Sequence, residues 1–191
     1  MGRNKVFDED AVLLKAMHLF WKQGYEKTSM QELVSHMGIH KGSLYDTFGD
    51  KQSLYIRALK RYSENSEQSV KLRLADTRSV KEAIRMLFDL AIHQREDIPQ
   101  GCFIVNTAVE LSFHDAEARE CVRLNWERVE EIIADLIVRG KLEGELAESI
   151  DADQLASFLN NALIGLRIIA KTITDRDKLN HIIEMNMSLL K

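Results

Sequence analysis

The stretch from His40 to Thr47, HKGSLYDT, sets a cation, three hydroxyls and one position without a side chain within about two helical turns. Lys41 can donate to guanine O6/N7 or to phosphate, and the Tyr45 hydroxyl can donate to phosphate. Thr47 offers a hydroxyl and a methyl, either of which could meet a base. Gly42 costs a helix about 1 kcal/mol relative to Ala, and what it allows is close approach of the backbone to a base edge or phosphate. Asp46 would be repelled by phosphates yet could accept from cytosine N4; a solvent-facing helix charge is the simpler reading.

Two short helices joined by a tight turn have to carry these groups. Ser29 with Glu32 three residues later is a capping-box spacing, which predicts a helix from Met30 to about Met37. Gly38 can end it in a left-handed conformation, and Ile39 is the apolar residue of the turn. A second helix starts near Lys41, with Leu44 and Phe48 inward and His40, Lys41, Gly42, Ser43, Tyr45, Asp46 and Thr47 outward. Helix, glycine turn and helix form a helix-turn-helix, whose second helix can enter the major groove of DNA. Asp50 caps the following helix with Lys51 at its first position, and such an end can anchor a phosphate. Thr28 and Ser29 open the earlier helix in the same manner. Upstream, a helix from Asp8–Asp10 to Gly24 buries Val12, Ala16, Leu19 and Phe20, and Tyr25 reads as a core plug. Arg3 and Lys5 lie on a short basic arm that could reach DNA, or on a disordered terminus.

Read from Val12, the run V-L-L-K-A-M-H-L-F-W-K-Q-G-Y-E-K-T-S-M-Q-E-L and then G-I-H-K-G-S-L-Y-D-T-F-G-D-K-Q-S-L closely resembles the N-terminal domain of TetR-family transcriptional repressors. Lys41-Gly42-Ser43-Leu44-Tyr45 and Phe48-Gly49-Asp50-Lys51 carry most of the likeness, and His40 departs from it where relatives often have Ser or Thr. The resemblance implies an all-helical, homodimeric, ligand-responsive DNA-binding regulator. Residues 1–52 would then be the DNA-binding domain and 53–191 a helical ligand-binding and dimerisation domain.

Composition fits a soluble globular protein. The chain has 191 residues, 45% hydrophobic and 29% charged, with one proline and nine glycines, which favours long helices over short strands. Its net charge of −4 conceals a split: residues 1–62 hold 10 Lys+Arg against 7 Asp+Glu, and the remainder is acidic. Phosphate neutralisation is local, so a basic head on an acidic body is compatible with DNA binding, as is ordinary surface scatter. No long apolar run spans a membrane, no secretory signal or myristoylation motif opens the chain, and Cys102 and Cys121 make no disulfide framework. Cytoplasm is the simplest reading.

Downstream, one long helix from Lys51 to about Leu74 has a polar middle, SENSEQS, that reads as an exposed connector. In the resembled family this helix links ligand occupancy to the spacing of the DNA-reading heads. Further helices are expected from Ser79, through CFIVNTAVELSF (apolar on nearly all sides and therefore central), from Asp115, from Asp151 and from Asp175. The last two carry Leu155, Leu159, Leu163 and Leu166, then Ile182 and Leu189, and their apolar stripes are expected to pair with a second copy. The competing reading is that each stripe seats its helix on its own core.

Phe88, His93, Phe103, Asn106, Trp126 and Arg167 come from helices expected to surround an effector cavity, though each is also ordinary packing or surface. Cys102 follows Pro99-Gln100-Gly101 at a helix N-terminus, where the dipole favours an anionic sulfur. Its run G-C-F-I-V-N resembles a segment of electrophile- and oxidant-responsive TetR-like regulators; a buried, inert thiol is the alternative. No metal or cofactor spacing and no enzyme motif appears, and the His93–Asp97 pair reads as solvated. The expectation is a repressor that binds a palindromic operator as a homodimer and is released by a small apolar or electrophilic effector. The alternative is a helical small-molecule carrier, or a cysteine-dependent enzyme with a vestigial head.

Overall fold

The computed structural model describes residues 7–92 and 99–191, which form nine helices and no strand. Three short ones come first: α1 (Glu9–Gln23), α2 (Met30–Met37) and α3 (Lys41–Phe48). The Asp8 carboxylate accepts from the amides of Asp10 and Ala11, at 2.9 and 3.3 Å, and so starts α1. At α2 the capping box closes in both directions: Ser29 Oγ accepts from Glu32 N at 3.1 Å, and Glu32 Oε2 from Ser29 N at 2.8 Å. Gly38, at φ +72°, ends α2 in the left-handed conformation the sequence anticipates. Asp50 opens the 24-residue α4 (Lys51–Leu74) by accepting from Ser53 N at 2.7 Å.

The first core knits these helices together. Leu33 and Met37 of α2 and Leu44 and Phe48 of α3 are buried against Phe20 of α1 and Leu54, Tyr55 and Leu59 of α4. Each such side chain contributes roughly 1.5–3 kcal/mol by leaving water. The Phe20, Tyr55 and Phe103 rings continue the core edge to face, with centroids 4.9 and 5.2 Å apart. Phe103 belongs to α6 (Phe103–Glu110), so the hydrophobic core of the head runs without a break into the next part of the chain.

The second core is built by α5 (Val80–Ile92), α7 (Ala116–Leu142), α8 (Ala152–Ile169) and α9 (Arg176–Met187). Asp115, Asp151 and Asp175 cap α7, α8 and α9, which begin where helices were expected. The leucine stripe of α8 needs a correction. Leu159, Leu163 and Leu166 are buried among Ile84, Phe88, Ile133 and Ile137 of their own chain, and half-buried Leu155 packs on the same core. Leu159, Leu163 and Leu166 seat α8 and have no surface left for a second copy. Ile182 likewise packs half-buried on this core, whereas Leu189, beyond the end of α9, is 45% exposed. The outward apolar residues are instead Phe158 and Ile168 on α8 and Met185 on α9.

The segment CFIVNTAVELSF is also only partly central. Phe103, Ile104, Val105 and Thr107 are buried, but Val109 and Phe113, four apart, are exposed, Phe113 at 86%. The helix packs one face on α4 and α7 and turns the other outward. No helix among the described residues is long and apolar enough to cross a membrane.

Candidate nucleic-acid interface and cavity

The α3 helix has two distinct faces. Leu44 and Phe48 are buried, while Lys41, Gly42, Tyr45 and Asp46 are exposed and Ser43 and Thr47 half-exposed. The Lys41 ammonium lies 5.9 Å from the centroid of the Tyr45 ring, so the two expected donors share one patch. A Cβ at Gly42 would meet no atom within 4 Å, so nothing in the folded chain requires glycine there. His40 takes the N-cap position of α3 without a side-chain bond to its first amides, which remain available as donors. From α4, Arg57 donates to the Thr47 carbonyl at 3.0 Å and stacks on the Phe48 ring at 4.7 Å, holding the C-terminal turn. Lys51 lies over the Tyr25 ring at 4.2 Å, and Ser29 is exposed at the start of α2, where its hydroxyl caps the helix.

Thr28 needs a correction. Its side chain is fully buried and its hydroxyl donates to the Gly24 carbonyl at 2.6 Å, so it closes the α1–α2 turn rather than facing a phosphate. That turn is gripped from the other side by α6. The Glu110 carboxylate accepts from Tyr25 N at 3.0 Å and from Glu26 N at 2.9 Å. Gly24, at φ +86°, is required there twice over: a Cβ would be strained by the backbone and would sit 2.8 Å from the Glu110 carboxylate.

A cavity of about 360 Å³ opens between α4, α7 and α8, with Cys102 at its inner wall. Of the residues expected to face it, Cys102 and Arg167 line it. Phe88 is buried in the second core, and Phe103 is wedged between the Tyr55 and Tyr62 rings at 5.2 and 5.7 Å. Asn106 points the other way, bonding the Trp21 carbonyl and Lys171. Trp126 packs on the first core outside the cavity wall. His93, with Asp97 and the Arg3–Lys5 arm, lies outside the described residues.

The polar middle of α4, expected to be a connector, is part of this wall. Ser63, Ser66, Glu67 and Val70 face the cavity, tied to α7 by Asn125 donating to Ser63 Oγ at 3.3 Å and Arg128 pairing with Glu67 at 2.8 Å. Tyr62 and Cys121 complete the side that the sequence did not single out. The Tyr62 hydroxyl donates to Cys102 Sγ at 3.6 Å, and burial, with Cys102 adding to it, pushes this phenol well above its ordinary range. Burial pushes the Cys121 thiol up as well. A polar run reads the same in sequence whether it meets solvent or lines a cavity, which is why this wall was missed.

The described residues set a helix-turn-helix beside a cavity-bearing helical body, an architecture that DNA-binding transcriptional regulators use. Residues 12–58 match the family of bacterial regulatory proteins of the tetR type, and residues 80–185 match the tetracyclin repressor-like C-terminal domain. The chain belongs to the TetR family of transcriptional regulators. It is 39% identical to the HTH-type transcriptional regulator YezE of Bacillus subtilis, each chain covered in full. It is 32% identical to the HTH-type transcriptional repressor ComR of Escherichia coli, over 95% of this chain and 88% of that one. A solved structure of a cysteine mutant of the TetR-family regulator CifR, complexed with 26-bp double-strand operator DNA, superposes with a TM-score of 0.88 at 28% identity, each chain covered in full.

Proposed function

We propose that the protein is a repressor that binds a palindromic operator as a homodimer and leaves it when a small apolar or electrophilic effector enters the α4–α7–α8 cavity. The observation that carries the reading is the division of α3. Two buried anchors fix a helix whose outward face is Lys41, an unhindered Gly42 and Tyr45. In this reading His40, Lys41, Gly42, Ser43, Tyr45 and Thr47 meet DNA, with Ser29 and Lys51 on flanking phosphates. ComR and BdcR of Escherichia coli are named repressors and CifR was solved on its operator, which supports repression and DNA binding here. The cytoplasm is the compartment such a role requires, and no catalytic step is part of it.

A ligand weakens DNA binding only by favouring the conformation whose two heads are wrongly spaced for successive major grooves. Cys102 gives the electrophilic variant of the reading its chemistry, since its sulfur faces the cavity beside Tyr62. Footprinting on the DNA upstream of the protein's own gene should reveal a protected palindrome, with affinity falling steeply as salt rises. Lys41→Ala and Tyr45→Ala should each weaken that binding about tenfold or more with the fold intact. Unchanged affinity in both variants would remove the site assignment. If Cys102→Ser responds to a mild electrophile as the parent does, the thiol has no sensing role.

A further inference from the structure

We infer that the effector is an amphiphilic carboxylate, its head received by the Arg167 guanidinium and its tail laid along Val70, Leu87, Val129, Ile132 and Leu163; this rests on the cavity being the effector site. Every other charge on the cavity wall is matched. Lys60 pairs with Glu117 at 3.0 Å, and Arg128 with Glu67 at 2.8 Å and Glu131 at 3.0 Å. Glu64 pairs with Arg61 at 3.4 Å, and Glu67 is shared with Lys71 at 2.6 Å. Arg167 alone has no hydrogen-bond or ion-pair partner among the described residues, although it is half-buried.

Its position sharpens the point. A second cavity of about 320 Å³ adjoins the first, and Tyr62, Cys102 and Arg167 line both, so the guanidinium stands at the divide. Tyr62 is held neutral by burial and gives the guanidinium no counter-charge. A charge taken from water without a partner is costly, and a carboxylate is the planar acceptor that matches the two-pronged guanidinium donor. Lys60 and Arg128 on the same wall are already taken by carboxylates, which leaves one free guanidinium to receive a monoanion, and the volume lies within the roughly 300–1,000 Å³ of small-molecule sites.

Calorimetry of the full chain with unbranched carboxylates from hexanoate to dodecanoate, beside the alcohols of equal length, tests this. At one chain length or more the carboxylate should bind about tenfold or more tightly than its alcohol. Arg167→Met should erase that preference while leaving alcohol binding unchanged and the thermal midpoint of the free protein no lower, and Arg167→Lys should restore part of it. Equal binding of acids and alcohols, a preference that survives Arg167→Met, or no binding of any carboxylate overturns the inference. Operator affinity is measured separately with and without the acid. A carboxylate that binds through Arg167 yet leaves operator affinity unchanged sinks the release mechanism and leaves the anion site standing.

Discussion

Gly42 is the residue at which folding and recognition make opposite demands. Space is open around it and its backbone takes no left-handed conformation, so alanine fits without displacing anything. Gly42→Ala should therefore raise stability by about 0.5–1 kcal/mol, measured by urea unfolding, through helix propensity alone. The same methyl would stand between α3 and the DNA, and operator affinity should fall about tenfold or more. A variant both more stable and equally tight on DNA would show that no close approach occurs there. Residue-level reading of the sequence succeeded where a side chain acts locally: Ser29 and Asp50 each cap the helix that their spacing indicates. It failed where the folded chain, not the local spacing, chooses a side chain's partner. Thr28 has the composition of a phosphate contact, yet its hydroxyl is spent on Gly24, and Glu110, which no motif marks, holds the turn of the head.

At the scale of elements, α6 joins the two halves. Its N-terminal residue neighbour Cys102 is on the cavity wall and its last residue, Glu110, binds the α1–α2 turn, about 12 Å away at 1.5 Å per residue. Midway, Thr107 donates to the Phe103 carbonyl at 2.9 Å, so the 2.8 Å bond between Thr107 and Tyr55 must take its proton from the tyrosine. Glu110→Gln keeps one oxygen acceptor of two and loses the charge that strengthens both bonds. It should cost roughly 1 kcal/mol of stability, with the partly exposed site tempering the effect. More tellingly, it should shrink the ratio of operator affinities measured without and with effector, because cavity and head would then move more independently. An unchanged ratio assigns the transmission to α4 alone. The helices themselves were legible from caps and apolar spacing, as α4 from Lys51 to Leu74 illustrates. Orientation was not: a polar stretch looks the same in sequence whether it meets solvent or lines a cavity, and the leucines of α8 look the same whether they seat a helix or pair it with a copy.

For the molecule as a whole, the proposed binding of two heads to one palindrome requires two chains held at a fixed separation. The buried leucines of α8 cannot supply that contact, and the exposed apolar residues of the helix lie on its other face. Phe158, 51% exposed, and Ile168 flank Gly165, around which no atom lies within 4 Å of a built Cβ, leaving room for a second helix to approach; Met185 of α9 is 71% exposed. Phe158→Asp with Ile168→Asp places two carboxylates on that face and removes nothing from either core, so helix content and unfolding midpoint measured at dilutions that populate the monomer should be unchanged. Sedimentation should show the parent as a dimer and the variant as a monomer. Operator affinity should fall by far more than the tenfold of a single lost contact, since each head then binds a half-site alone, and the salt dependence should shrink by about half with the phosphates contacted. A variant that stays dimeric would move the interface off this face of α8. A monomer that still binds the full operator as tightly as the parent would remove the need for a twin altogether.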